Sequence, residues 1–171
     1  MFKLKTIMIL LMVLCMSHIG IGQEKYAVII AKTQVQSNNH SQAWIETFLK
    51  WEELQSKGYA PQNIYVFFDN GYDYQSPSLA HRYKPNVGIV LTYDAATLDN
   101  INKVFNEFKE GSQSVNKLSK FDSLFVWTYE KFSDHKTNIQ LYEGQLSKED
   151  LSHLIQPLNA NIILDINIKD Q

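Results

Sequence analysis

Apolar residues recur along the chain in two rhythms. YAVIIA (residues 26–31), NIYVFFD (63–69), LFVWTY (124–129) and NIILD (161–165) are short, nearly continuous apolar runs rich in β-branched and aromatic residues. Runs of that length and kind predict strands buried on both faces, as in a parallel sheet. Between them the spacing changes to that of helices. Trp44, Phe48 and Trp51 fall at i, i+4 and i+7, with Ile45, Leu49 and Leu54 beside them. They predict a helix capped by Asn39 or Ser41 and closed by Gly58. Leu98, Ile101, Val104, Phe105 and Phe108 predict a second helix over residues 94–110. Ser147 and Asp150 have capping-box spacing ahead of Leu151, Leu154, Ile155 and Leu158, which form the core face of a third helix ending at Pro157.

The alternation of strand and helix predicts an α/β fold in three layers. Its mostly parallel sheet has about four core strands, with helices on both faces. Chemistry in such a sheet sits at the carboxyl ends of the strands, so an active site is expected from residue 130 onward. Two segments read as loops. Residues 32–40 are polar and end in Asn38, Asn39 and His40. Residues 70–93 contain Pro77, Pro85 and Gly88, and a loop of that length is usually functional or mobile. Residues 88–93 are expected to form a short peripheral strand within it. Its Tyr72, Tyr74, Tyr83 and Tyr93 offer either a contact surface or packing onto the sheet.

The amino terminus changes the picture of where this fold resides. Lys3 and Lys5 precede an apolar run over residues 7–16, too short to span a bilayer, and then the small residues Gly20 and Gly22. This is the three-part pattern of a secretory signal peptide, residues 1–22, cleaved after Gly22 to leave Gln23 first. The expected location is secreted or periplasmic, with no membrane attachment after cleavage. Cys15, the sole cysteine, lies inside that signal, and Leu14 before it does not suit lipidation. The processed chain, residues 23–171, is read as one domain without disulfide, thiolate metal site or cysteine nucleophile. Losing Lys3 and Lys5 takes the net charge from -2 to -4, which offers nothing to a nucleic acid. Hydrophobic residues make up 44% and charged residues 20%, enough for a packed core.

In order and spacing, several stretches resemble the legumain-type cysteine peptidases of the caspase-like clan, closest in pattern to secreted bacterial members. They are YAVIIA, then NNH with Trp44, then GYAPQNIYVFFDNG. Ala96-Thr97, Asn100-Ile101, Val104-Phe105 and FDSLFVWTY follow. The similarity covers residues 26–165, the amino-terminal part of the family domain. It implies a caspase/haemoglobinase-like fold with strand order two, one, three, four, and two further strands beyond. It also implies a catalytic His after the third strand, in Asp-His-Gly, and a catalytic Cys after the fourth. Glu130, Lys131 and Phe132 stand at the first motif, and Asn167 stands at the Cys.

Those replacements remove the chemistry. A thiolate nucleophile and an imidazole base are both needed. Lys131 would be mostly protonated unless strongly desolvated, and Asn167 has no nucleophile. Phe132 fills the place of a glycine that would approach the substrate oxyanion. Asp134-His135 could be a displaced Asp-His pair, so His135 is a candidate from outside the motif. The expected function is that of a non-catalytic homologue binding a peptide or protein through the old cleft, with His40, Asp69 and Glu130 around it. The alternatives are a fragment of a split or decayed endopeptidase, or a hydrolase of altered chemistry using His135. A flavodoxin-like binding module is a further reading, but no ligand loop goes with it. No cofactor is expected. Asp69, Asp73 and Glu130 could gather at one rim to hold a cation, or be solvated loop acids. His81, His135 and His153 have no metal-ligand spacing, so no metal is expected. The strand over residues 161–166, from Asn161 to Ile166, should be an exposed edge that supports a homodimer.

Overall fold

The computed structural model of the protein describes residues 23–33, 40–130 and 137–166. The elements in chain order are β1 (Lys25–Ala31), α1 (His40–Ser56), β2 (Ile64–Phe68), α2 (Leu98–Glu110), β3 (Ser123–Thr128), β4 (Asn138–Gln140), β5 (Gln145–Ser147), α3 (Lys148–Ile155) and β6 (Asn161–Asp165). β2, β1, β3 and β6 form a four-stranded sheet in that order, and every pair in it is parallel. This is the predicted three-layer α/β architecture.

The continuous apolar runs arise because β1, β2 and β3 each serve two cores. Successive residues of a strand point to opposite faces. Tyr26, Val28 and Ile30 of β1, Tyr65 and Phe67 of β2, and Leu124 and Val126 of β3 join one core with α2 and α3. Ala27, Ile29, Ala31, Ile64, Val66, Phe68 and Trp127 join the other with α1. α2 contributes Ile101, Val104, Phe105 and Phe108, all buried. Each such side chain is worth about 1.5–3 kcal/mol of transfer free energy.

Several boundaries differ from the sequence reading. α1 begins at His40, so Ser41 lies inside its first turn. Its buried face carries Ala43, Trp44, Thr47, Phe48 and Leu54, while Leu49 is exposed. Leu49 sits about 140° round the helix from Trp44, off the face that meets the sheet. α2 begins at Leu98 and not at residue 94, because Thr97 is its cap and accepts a bond from the Asn100 amide at 3.3 Å. No strand forms over residues 88–93. The backbone of that segment meets the sheet near its end, where the Tyr93 amide donates to the Val66 carbonyl at 2.7 Å and a bridge joins Phe67 to Asp94, while Val87, Ile89 and Val90 are exposed. An antiparallel hairpin of β4 and β5, which the sequence did not suggest, packs Ile139, Leu141 and Leu146 into the α2 side. The expected signal peptide, residues 1–22, lies outside the described residues. Among these no helix is long and apolar enough to cross a membrane.

The predicted capping box of α3 forms in full. Ser147 Oγ accepts from the Asp150 amide at 2.9 Å, and the Ser147 amide donates to Asp150 Oδ2 at 3.1 Å. The Ser147 hydroxyl and amide hold the Asp150 carboxyl below its ordinary value. A depressed carboxylate contributes stability that is present above its unfolded pKa and lost as pH falls through the folded one. Ser147→Ala is expected to cost about 1 kcal/mol at neutral pH. In a pH series of urea unfolding, that cost should begin to shrink below about pH 4, where the unfolded carboxylate protonates, and should go on shrinking until the solution is acid enough to protonate the folded carboxylate as well. A cost that did not change with pH would mean that Asp150 takes no part in the cap.

Candidate functional site

A cleft of about 580 Å³ opens where β1 and β2 end. Lys32, Thr33, Asp69, Tyr72, Tyr74 and Tyr142 are among its lining residues. One wall is the start of the long loop after β2, and the other is the turn of the β4–β5 hairpin. The hairpin is drawn against the sheet by Lys32, whose ammonium donates to the Leu141 carbonyl at 2.8 Å.

Asp69 joins the ends of the two strands. Its carboxylate accepts the Thr33 amide at 2.9 Å through Oδ1 and the Thr33 hydroxyl at 2.7 Å through Oδ2. Its own amide donates to the Ala31 carbonyl at 3.2 Å, and its carbonyl accepts the Ala96 amide at 2.8 Å. Asp69 has a positive φ of 39°, a conformation that Asp tolerates better than most residues. Two residues on, Gly71 has φ 94°, and a Cβ there would lie 2.9 Å from the Ala95 amide nitrogen. The chain after β2 therefore doubles back closely on residues 94–96, which only glycine permits at that point.

Asp73 closes the base of the same loop. Its carboxylate accepts the Leu91 amide and, at 2.7 Å, the Thr92 amide. The tyrosines of the loop divide between packing and exposure. Tyr74 and Tyr83 pack against the α1 side, and Tyr93 meets Tyr65 and Phe67 edge-on. Tyr72 is 73% exposed and Tyr142 47% exposed, and both stand at the cleft.

Glu130 follows β3. Its Oε2 accepts the Gln140 amide of β4 at 3.2 Å, so this carboxylate links the hairpin to the central strand. Beside it, burial pushes the Tyr129 hydroxyl upward, and Glu46 and Glu130 push it further. Asp69, Asp73 and Glu130 thus bond to three separate parts of the chain. They do not gather as one cation site, and among the described residues no group of three or more His, Cys, Asp or Glu could hold a metal ion. His81 is exposed in a turn with Arg82, away from the cleft. His153 lies on α3, 3.7 Å from Glu149.

Of the expected cleft residues, Asp69 lies in the cleft, Glu130 borders the hairpin, and His40 is the first residue of α1. Lys131, Phe132, His135 and Asn167 lie outside the described residues. Thr33, Lys32 and Tyr142 were not foreseen as site residues. The polar run after β1 carried no sign that Thr33 would meet an acid 36 positions away. The resulting floor holds its carboxylates by internal hydrogen bonds, while phenol rings stand at its rim. Such a surface can hold a chain segment by stacking and amide contacts. No protein-family model matches the chain, and no curated protein matches it.

Proposed function

We propose that this protein is a secreted, non-catalytic homologue of the legumain-type cysteine peptidases, which binds a peptide or protein segment in the cleft after β1 and β2. The observation that carries the reading is the floor of that cleft. The Asp69 carboxylate is committed to Thr33 through both oxygens, and Tyr72 and Tyr142 face solvent beside it. This chemistry suits recognition. The strand order β2-β1-β3-β6 agrees with the order that the resemblance implies for the first four strands. The sequence adds that its sole cysteine is Cys15, within the segment read as the signal. A peptidase of this clan needs a cysteine after the fourth strand, where Asn167 stands.

The processed protein should leave fluorogenic peptides ending in Asn, Asp, Arg or Lys uncleaved, and iodoacetamide should add no mass to it. Peptides selected from a displayed random library should bind. Tyr72→Ala and Tyr142→Ala should each weaken that binding about tenfold, the scale of one lost aromatic contact. Binding unchanged by both substitutions would remove the cleft from the proposal. Peptide turnover abolished by His135→Ala would replace it with a hydrolase of altered chemistry.

A further inference from the structure

The outer edge of β6 takes no part in the cleft. β6 pairs with β3 on one side, and among the described residues no strand lies on the other. Ile163 and Leu164 are 46% and 45% exposed. Around them Leu154, Ile155, Ile162 and Ile166 are only partly buried against the α2-side core. An apolar edge with open backbone groups is a template for another strand.

The hydrogen bonds of β6 limit what can pair there. The Asn161 amide donates to the Asp122 carbonyl at 2.8 Å, so residue 161 turns its backbone groups toward β3. Alternation along the strand turns those of Ile163 and Asp165 the same way and leaves those of Ile162 and Leu164 facing outward. An incoming strand can bond only to the latter two within β6.

We propose that the incoming strand is β6 of a second copy, running antiparallel about a two-fold axis at Ile163. Ile162 then opposes the partner's Leu164, and both present outward groups, so the pair exchanges hydrogen bonds. Ile163 faces its own counterpart across the axis. Asn161 opposes the partner's Asp165, an amide against a carboxylate. Shifting the register by one residue sets outward groups against inward ones and forfeits the bonds. Shifting it by two sets either Asp165 or Asn161 against the partner's Ile163. The centred register alone matches apolar with apolar and polar with polar throughout. Lys50 lies 3.3 Å from Asp165 and compensates its charge beside the seam. The contact is isologous and closes on itself, giving one sheet continuous across the dimer.

Light scattering on a size-exclusion column tests this with the purified protein. The expected result is a dimer that Ile163→Lys dissociates, weakening association by about 100-fold or more, since like charges would face each other at the axis. Circular dichroism should show that variant folded, because Ile163 is half exposed. Cysteine substitution tests the register. Facing residues of a non-hydrogen-bonded pair have Cα atoms about 4.5 Å apart, within disulfide reach. Ile163→Cys should therefore oxidise to a covalent dimer, and Leu164→Cys should not. A monomer at high concentration, a dimer indifferent to Ile163→Lys, or equal crosslinking at both positions would overturn the proposal.

Discussion

Replacing Trp44 by alanine should lower the unfolding free energy by about 3–5 kcal/mol, a large share of the roughly 5–15 kcal/mol that holds a domain together. Trp44 is fully buried and packs edge-on against Phe68, with ring centroids 4.9 Å apart. Its indole Nε1 donates to the Tyr83 carbonyl at 2.9 Å. That bond pins the long loop to α1, and the same loop carries Tyr72 and Tyr74 into the cleft. The substitution should therefore act twice. Chemical denaturation should show the loss of stability, and limited proteolysis should show earlier cutting within residues 70–93. Trp44→Phe separates the two effects. It keeps most of the packing but removes the donor, and should cost about 1–3 kcal/mol for the unpaired carbonyl. If Trp44→Phe left proteolysis of the loop unchanged, the indole bond would not be what anchors it.

Phe108→Ala is expected to be comparably severe, again about 3–5 kcal/mol. Phe108 is fully buried where three rings converge: Tyr26 at 5.7 Å, Tyr65 at 5.3 Å and Phe105 at 6.0 Å. Burial pushes the hydroxyls of Tyr26 and Tyr65 up to about 12, and for Tyr26 a hydrogen bond to Glu24 adds to the effect. A group whose folded pKa is raised contributes stability that is fully present below its unfolded pKa and lost as pH rises toward the folded value. For these tyrosines the window runs from about 10 to about 12. The protein should accordingly lose stability through that range. Removing the Phe108 ring admits water beside both phenols, so their titration, followed by phenolate absorbance, should move down toward 10. Unchanged titration with lowered stability would mean that the cavity collapses without hydrating the tyrosines.

The chain states its layers openly because burial on both faces of a strand requires apolar residues at consecutive positions. That is why β1, β2 and β3 could be read from sequence, and why their parallel pairing followed. The capping box at Ser147 was equally legible, since both of its bonds lie within three residues. The stripe of α2 was legible because one face of that helix meets one core. What the sequence withheld depends on neighbours far along the chain. Ile139, Leu141 and Leu146 are isolated in a polar stretch, and they read as hairpin only once the α2-side core lies beneath them. Residues 88–93 are apolar enough for a strand, yet Leu91 alone of their aliphatic side chains is buried, and the backbone bonds to the sheet come at Tyr93 and Asp94. The start of α2 moved because the chain before it is held by Asp69, Gly71 and the Thr97 cap. The cleft arises in the same way. Thr33 meets Asp69, Lys32 meets Leu141 and Glu130 meets Gln140 because the strand order brings those ends together. Composition and periodicity describe which residues are buried. Only the closing of the sheet determines which polar groups come to face one another there.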